Sequence, residues 1–559
     1  MFRALALVPL LAALICAVDA LPKITRTGRY LYDESGNRFY IKGIAYQEQG
    51  VVVVSADNPF GEPSSFVDPL AMESACNRDL PFLQQLGVNT VRIYSVDSTL
   101  NHDACMSAFS KAGIYTIIDL ALPLNGSIDR VSPSWSTNLL ELYTNTIDAF
   151  SKYDNVLAYN VGNEVVIQNA TNVAPYVKAA ARDIKAYLKS KGSSALVGYA
   201  AINGQAGWRG DLANFLSCDP SNSNSDSTSI DLYGLNDYEW CGDSTFEKSY
   251  ATTTQAYSQY NVAAYFSEFG CVSSPPRLWT EAIALFGSDM NTVWSGGIAF
   301  SYFPAASAAG QFGMVTISDD QSTVITSDDF DKLKTEYGQI NFINSPSQTS
   351  AGSPSYPSCP ASSSTFLAST TLPPTPNEAA CNCLESTLSC QFTPQTANYS
   401  AVVGEVINNA CGLLGEKGGS CTDIGGDGQT GVYGRIAACD PIVKASFVMS
   451  QFYEANNRQQ VTCSFDGNGT VNQAAPSSVS AANVAASSCV ANPNAVFTPS
   501  AAPTNGAGGS AQTSGSSNNN NNNNNNHSGS LAVGVDPNAL LGMTLMAAIA
   551  ALGGIFTLA

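Results

Sequence analysis

Along residues 22 to 340, short apolar runs rich in β-branched and aromatic side chains recur, each separated from the next by a stretch long enough for a helix. Eight runs carry this signature: Arg38–Tyr46, Thr90–Val96, Tyr115–Pro123, Val156–Val165, Leu196–Asn203, Ile230–Tyr238, Val262–Gly270 and Gly296–Pro304. Among the intervening stretches, Ala174 to Lys189 places Val177, Ala180, Ala181, Ile184 and Leu188 at helical spacing, which predicts an amphipathic helix. Strand and helix signals in alternation predict βα units. Eight of them in roughly 300 residues fit the α/β class and a (β/α)8 TIM barrel.

Chemistry in such a barrel gathers at the C-terminal ends of the strands, where the βα loops open. The residues that close the predicted strands therefore form one candidate rim: Tyr94, Asp119, Asn163, Glu164, Asn203, Tyr238, Glu268 and Tyr302. Any one of them alone would pass for a solvated loop residue; so many on so many strands indicate a site.

The strand and helix pattern stops near Asn341, which sets the barrel at residues 21–342. Residues 343–378 are rich in Ser, Pro and Thr, a linker composition, with Cys359 expected to be tied back to the barrel. Eight cysteines then fall between Cys381 and Cys489, a density that predicts a small disulfide-stapled module over 379–490. Residues 491–530, with an unbroken asparagine run from Asn518 to Asn526, predict a flexible stalk.

Both chain ends change the picture. Met1-Phe2-Arg3 followed by the apolar run Ala4 to Val18 and small residues up to Ala20 has the form of a secretory signal peptide over residues 1–20; a membrane anchor would need roughly 20 apolar residues. The uncharged tail Leu540 to Ala559 follows Ser528-Gly529-Ser530 and a short spacer, which is the pattern of a glycosylphosphatidylinositol (GPI) signal, assigned to 531–559. A terminal transmembrane helix is the alternative, and no basic stop-transfer residue follows the tail. Sequons at Asn125, Asn169, Asn398, Asn468 and Asn526 fit an exported glycoprotein. Removing Cys16 with the leader leaves 14 of the 15 cysteines, an even number, so disulfides are expected rather than metal sites.

Acidic residues outnumber basic ones by 45 to 25, giving a net charge of −20 with only 13% charged residues. No basic stripe is available for nucleic acid, and a neutral polymer is the better partner. The only histidines are His102 and His527, and no cluster has zinc or calcium spacing, so neither metal nor cofactor is implied.

The fourth run closes Val161-Gly162-Asn163-Glu164 and the seventh Phe266-Ser267-Glu268-Phe269. A carboxylate at the end of a largely apolar strand is costly unless it sits at the rim or has a function. Glycosyl transfer needs such a pair: one carboxyl group protonates the leaving oxygen, and the second attacks the anomeric carbon or activates water. A rim salt bridge is the plain alternative for either residue alone, and the Asn-Glu step combined with a second Glu is more specific than either.

With Arg92-Ile93-Tyr94, Asp119-Leu120, Ser127-Ile128-Asp129-Arg130, Gly162-Asn163-Glu164, Asp237-Tyr238-Glu239-Trp240-Cys241-Gly242, Ser267-Glu268-Phe269-Gly270-Cys271 and Val293-Trp294-Ser295-Gly296-Gly297, residues 22 to 340 resemble glycoside hydrolase family 72. These are the fungal GPI-anchored β-1,3-glucanosyltransferases of the Gas, Gel and Phr type. The resemblance implies Glu164 as acid/base, raised in pKa, and Glu268 as an ionised nucleophile. It further implies sugar contacts at Tyr94, Asp119, Asn125, Ser127, Asp129, Asn163, Asn203, Tyr238 and Tyr302, and an acceptor-side arginine at Arg209. Two positions depart from the family pattern: Gly204 stands where an acidic acceptor contact is usual, and Phe300 where a donor-stacking tyrosine is usual. The cysteine module resembles carbohydrate-binding module family 43 through Cys381-Asn382-Cys383-Leu384, Gly431-Val432-Tyr433-Gly434 and Lys444-Ala445-Ser446-Phe447-Val448-Met449; a brace without sugar affinity is the alternative. The family pattern implies Cys76–Cys105, Cys218–Cys359 and Cys241–Cys271 in the barrel. In the module, Cys381, Cys383, Cys390, Cys411, Cys421, Cys439, Cys463 and Cys489 have a connectivity that spacing does not fix.

The implied activity is cleavage of an internal β-1,3-glucan bond and transfer of the donor to the 3-OH of another glucan, by a monomer at the outer face of the plasma membrane and the cell wall. The carboxylate pair does not choose between transfer and hydrolysis, so an endo-β-1,3-glucanase would carry the same two residues. A non-catalytic wall-binding scaffold would tolerate the changes at 204 and 300 but would not need the pair.

Overall fold

The computed structural model describes residues 20–50, 65–123, 126–307, 309–396 and 399–500. The predicted leader through residue 19, Asn125, Asn398, the stalk from 501 and the anchor signal lie outside the described residues.

Eight parallel strands close into a barrel: β1 Ile41–Ala45, β2 Thr90–Ile93, β3 Tyr115–Asp119, β4 Val156–Asn163, β5 Leu196–Ile202, β6 Leu232–Asn236, β7 Ala263–Phe269 and β8 Trp294–Ala299, with β8 pairing β1. Helices follow the strands, among them Glu73–Leu86, Thr137–Phe150, Ala174–Ser190, Ala206–Ser217 and Asp328–Gly338. Ile41, Ile117, Ala158, Leu196, Leu232, Tyr265 and Ile298 fill the barrel interior. A larger apolar layer joins the strands to the helices. The sequence runs overshoot the strands, as with Arg38–Tyr46 against Ile41–Ala45, because apolar character continues into the loops that cover the barrel ends.

Register breaks at the two strand ends that bear the glutamates. On β4, Asn160 and Asn163 lie opposite Gly198 and Ala200 of β5, and on β7 Phe266 and Glu268 lie opposite Leu235 and Asn236 of β6. An extra residue in one strand bends it and re-aims the side chains beyond.

The helix Ala174–Ser190 forms where its spacing predicts, but its outer face is covered too, and Ala174 through Ile184 are buried without interruption. The covering segment is the Ser/Pro/Thr-rich stretch, which packs rather than dangles: Phe366, Ala368 and Thr375 are buried, and Arg182 Nη1 donates to Pro373 O at 2.9 Å. Cys218–Cys359 ties this stretch to the barrel, and Cys76–Cys105 and Cys241–Cys271 lie within the barrel.

The cysteine module is mainly helical, built on Glu378–Thr387, Ser400–Glu416, Pro441–Ala455 and Val479–Cys489. Its disulfides are Cys381–Cys439, Cys383–Cys489, Cys390–Cys463 and Cys411–Cys421. Leu384, Ala410, Val448 and Met449 centre its own core, which few residues of a module this small could sustain without the cross-links. It rests on the barrel through Tyr433, edge-on to Tyr176 at 5.7 Å, and through Thr137 N, which donates to Ala438 O at 3.0 Å.

Candidate active site

Glu268 and Glu164 stand at the C-terminal ends of β7 and β4, where the register breaks. Glu268 is buried, and each of its oxygens is held. Oε1 accepts from Tyr94 Oη at 2.8 Å and Arg92 Nη1 at 3.2 Å, and Oε2 accepts from Tyr238 Oη at 2.8 Å. Burial and the nearby Glu164 push the Glu268 carboxyl up to about 7 against the pull of Arg92 and the two phenols. The resemblance implies an ionised Glu268: its three donors favour the anion, and the dry site makes that anion a stronger base. Burial, with the charge of Glu268 adding to it, keeps Tyr94 and Tyr238 protonated as donors.

Glu164 takes φ +50°, a left-handed conformation that costs a non-glycine residue roughly 1 kcal/mol. Its N–H donates to Ala200 O at 2.8 Å and its carbonyl accepts from Arg130 Nη2 at 2.9 Å, so the strain is fixed from both sides. The carboxylate accepts from Asn236 Nδ2 at 2.7 Å.

One network joins the two carboxyl groups. Asn236 Nδ2 also donates to Asn163 Oδ1 at 3.2 Å, and Asn163 Oδ1 accepts from Arg92 Nη2 at 2.9 Å. Arg92 is fully buried, a condition that opposes its charge, yet Asp119 at 2.7 Å holds it protonated, and its guanidinium lies 4.2 Å from the centre of the Tyr94 ring. Asn160 Nδ2 donates to Asp119 Oδ1 at 2.6 Å, and Ser267 Oγ donates to Asn236 Oδ1 at 2.7 Å. Arg92 and Asn236 were not singled out from the sequence, although Asn236 closes the sixth strand and so obeys the rim rule.

A cavity of about 310 Å³ opens beside the pair, lined by Tyr94, Asp119, Leu122, Pro123, Ser127, Asn163, Glu268 and Phe300 among others. Its wall comes from the ends of β1 to β4, β7 and β8. Phe300 sits edge-on to Tyr94 at 6.2 Å, to Tyr238 at 6.4 Å and to Phe312 at 5.3 Å, an aromatic clasp behind both phenols that contact Glu268.

The other expected contacts divide. Asn203 and Arg209 lie off this cavity, at the ends of β5 and the following helix, with Arg209 Nη1 donating to Asn203 Oδ1. A Cβ at Gly204 would collide with the buried Trp208 ring, so only glycine fits there. Tyr302 is corrected from a rim contact to a core residue: it is 0% exposed and packs on Tyr46 and Phe303. Asp129 instead caps a turn, accepting from Val131 N at 2.7 Å and Ser132 N at 2.6 Å. Asn169 is exposed, and Asn468 is half-buried with its Nδ2 donating to Phe465 O at 3.2 Å. Among the described residues no group of His, Cys, Asp and Glu is arranged to hold a metal ion.

Residues 13–341 match the family model described as glucanosyltransferase, and residues 388–470 match the X8 domain. The 1,3-beta-glucanosyltransferase gas1 of Schizosaccharomyces pombe is 39% identical over 451 residues, 79% of this chain and 78% of its own. The 1,3-beta-glucanosyltransferase GAS2 of Saccharomyces cerevisiae is 37% identical over 444 residues, 77% and 76% of the two chains. A structure of a Saccharomyces cerevisiae Gas2p mutant without ligand superposes with a TM-score of 0.73 at 35% identity, covering 84% of this chain and 98% of that one. The same protein in complex with laminaritetraose and laminaripentaose gives 0.71 at 34% identity, covering 83% and 98%.

Proposed function

Since the chain belongs to the glucanosyltransferase family, glycoside hydrolase family 72, with a C-terminal X8 domain, we propose that it cleaves β-1,3-glucan and transfers the released donor to the 3-OH of a second glucan chain. The observation that carries this reading is the single network running from Glu164 through Asn236, Asn163 and Arg92 to Glu268.

In the first step the Glu164 carboxyl gives its proton to the glycosidic oxygen while a Glu268 oxygen forms a bond to the anomeric carbon and the C–O bond breaks. The glycosyl-enzyme then reacts with the acceptor 3-OH, which loses its proton to the Glu164 carboxylate and displaces Glu268. Arg92, Tyr94 and Tyr238 fix the nucleophile and disperse its charge as it returns. Asn163, at the junction of this network, meets the donor 2-OH. The cavity bounded by Leu122, Ser127 and Phe300 takes the donor sugars.

Seven disulfides, the leader and the uncharged C-terminal tail support an exported glycoprotein held at the outer face of the plasma membrane by a GPI lipid and acting in the cell wall. The X8 module adds a second glucan contact.

Incubation with a laminari-oligosaccharide reduced at its end tests the reaction. Products longer than the substrate are expected; shorter products alone would make the protein a hydrolase.

A further inference from the structure

Asp237 lies between the rim residues Asn236 and Tyr238, yet its carboxyl group contacts neither Glu268 nor Glu164 and does not line the donor cavity. It is 0% exposed. Its Oδ1 accepts from Glu239 N at 2.8 Å and its Oδ2 from Asn203 Nδ2 at 3.0 Å, while its own N–H donates to Glu268 O at 2.9 Å. Asn203 Oδ1 in turn accepts from Arg209 Nη1. A chain of hydrogen bonds therefore runs from the nucleophile's strand to a buried arginine. Burial, and then the charge of Glu239, push the Asp237 carboxyl up to about 8.

The chain ends on the side of the catalytic pair away from the donor cavity, since that cavity is walled by the ends of β1 to β4, β7 and β8 while Asn203 and Asp237 close β5 and β6. Trp208 covers Gly204 there and leaves no room for a side chain at that position. Asn203, half-buried, and Arg209 behind it are polar groups at this edge that an incoming sugar can meet, and Asn203, which holds Arg209, is itself held by Asp237.

We propose that Asp237 is a positioning residue for the acceptor: through Asn203 it sets Arg209, and so governs how well a glucan hydroxyl competes with water for the glycosyl-enzyme. This rests on the transfer reaction proposed above. Asparagine at 237 is nearly isosteric, but one of its two termini is an NH2 that cannot accept, so either Glu239 N or Asn203 Nδ2 loses its partner. In the full-length protein, Asp237→Asn is expected to raise the acceptor KM about tenfold, the worth of one buried hydrogen bond, while the donor KM and the rate of donor cleavage change by less than about threefold. Products shift from longer to shorter chains.

Arg209→Lys keeps the charge and loses the fork, and is expected to produce the same split. Because both act through one group, Asp237→Asn added to Arg209→Lys should raise the acceptor KM no further. An unchanged acceptor KM in Asp237→Asn, equal losses in donor and acceptor steps, or full additivity of the two substitutions would overturn the proposal. Absence of transfer by the unsubstituted enzyme would instead overturn the reaction on which it rests.

Discussion

Tyr238 donates its phenol hydrogen to Glu268 Oε2 at 2.8 Å, while Tyr94 and Arg92 donate to Oε1. Glu268 must be ionised to attack, and burial already pushes its carboxyl up to about 7. Removing a donor to the anion raises it further. Tyr238→Phe should therefore move the acid limb of kcat/KM to higher pH and lower kcat/KM about tenfold on the acid side, with a smaller loss above the limb. A pH profile of both proteins checks this; a uniform loss at every pH would contradict it.

Arg92 meets Asp119, Asn163, Glu268 and the Ser267 carbonyl from one planar group. A lysine ammonium cannot span these partners, and a buried Asp119 would keep an incomplete shell. Arg92→Lys is expected to reduce kcat by at least about 100-fold and to cost roughly 3 kcal/mol of stability, read by single-turnover kinetics and denaturant titration.

Glu281 begins the helix Glu281–Phe286 behind β8 and is buried, which pushes its carboxyl up to about 7. In the unfolded chain it titrates near 4.5, so the folded state binds its proton more tightly. The linkage makes ionised Glu281 destabilising: there is no penalty below about 4.5, a growing one between 4.5 and 7, and a full one above 7. Glu281→Gln should raise stability by roughly 2–3 kcal/mol at pH 8 and leave it nearly unchanged at pH 4, as thermal melts at the two pH values would show.

The barrel and its two glutamates were legible because a strand buried on both faces leaves a continuous apolar run, and a carboxylate closing such a run stands out. Asn163 and Tyr94 were legible by the same rule. Arg92 escaped it, since a guanidinium inside a strand is tolerable only with Asp119 and Glu268 brought to it from β3 and β7, a conjunction that one strand does not carry. Tyr302 misled the rule because the chain turns inward after β8, so Phe300 and Ser301 line the cleft instead. The Ser/Pro/Thr-rich stretch has linker composition, yet Phe366 packs on Phe215 of the helix Ala206–Ser217 and Pro373 and Thr375 bond to Arg182 and Asp183 of the helix Ala174–Ser190, whose covered outer face is a fact of tertiary contact. The reason for Gly204 likewise lies in Trp208, whose ring folds back over it.

Glu268 is the residue that carries the donor in this mechanism. A laminari-oligosaccharyl fluoride with fluorine at C2 of the reacting sugar slows both steps but departs readily, so the glycosyl-enzyme should accumulate and be found by peptide mass mapping. The expected result is one glycosyl group per chain, on the peptide containing Glu268 and at that side chain, with none on Glu268→Gln. Label on Glu164, or inactivation without a covalent adduct, would contradict it.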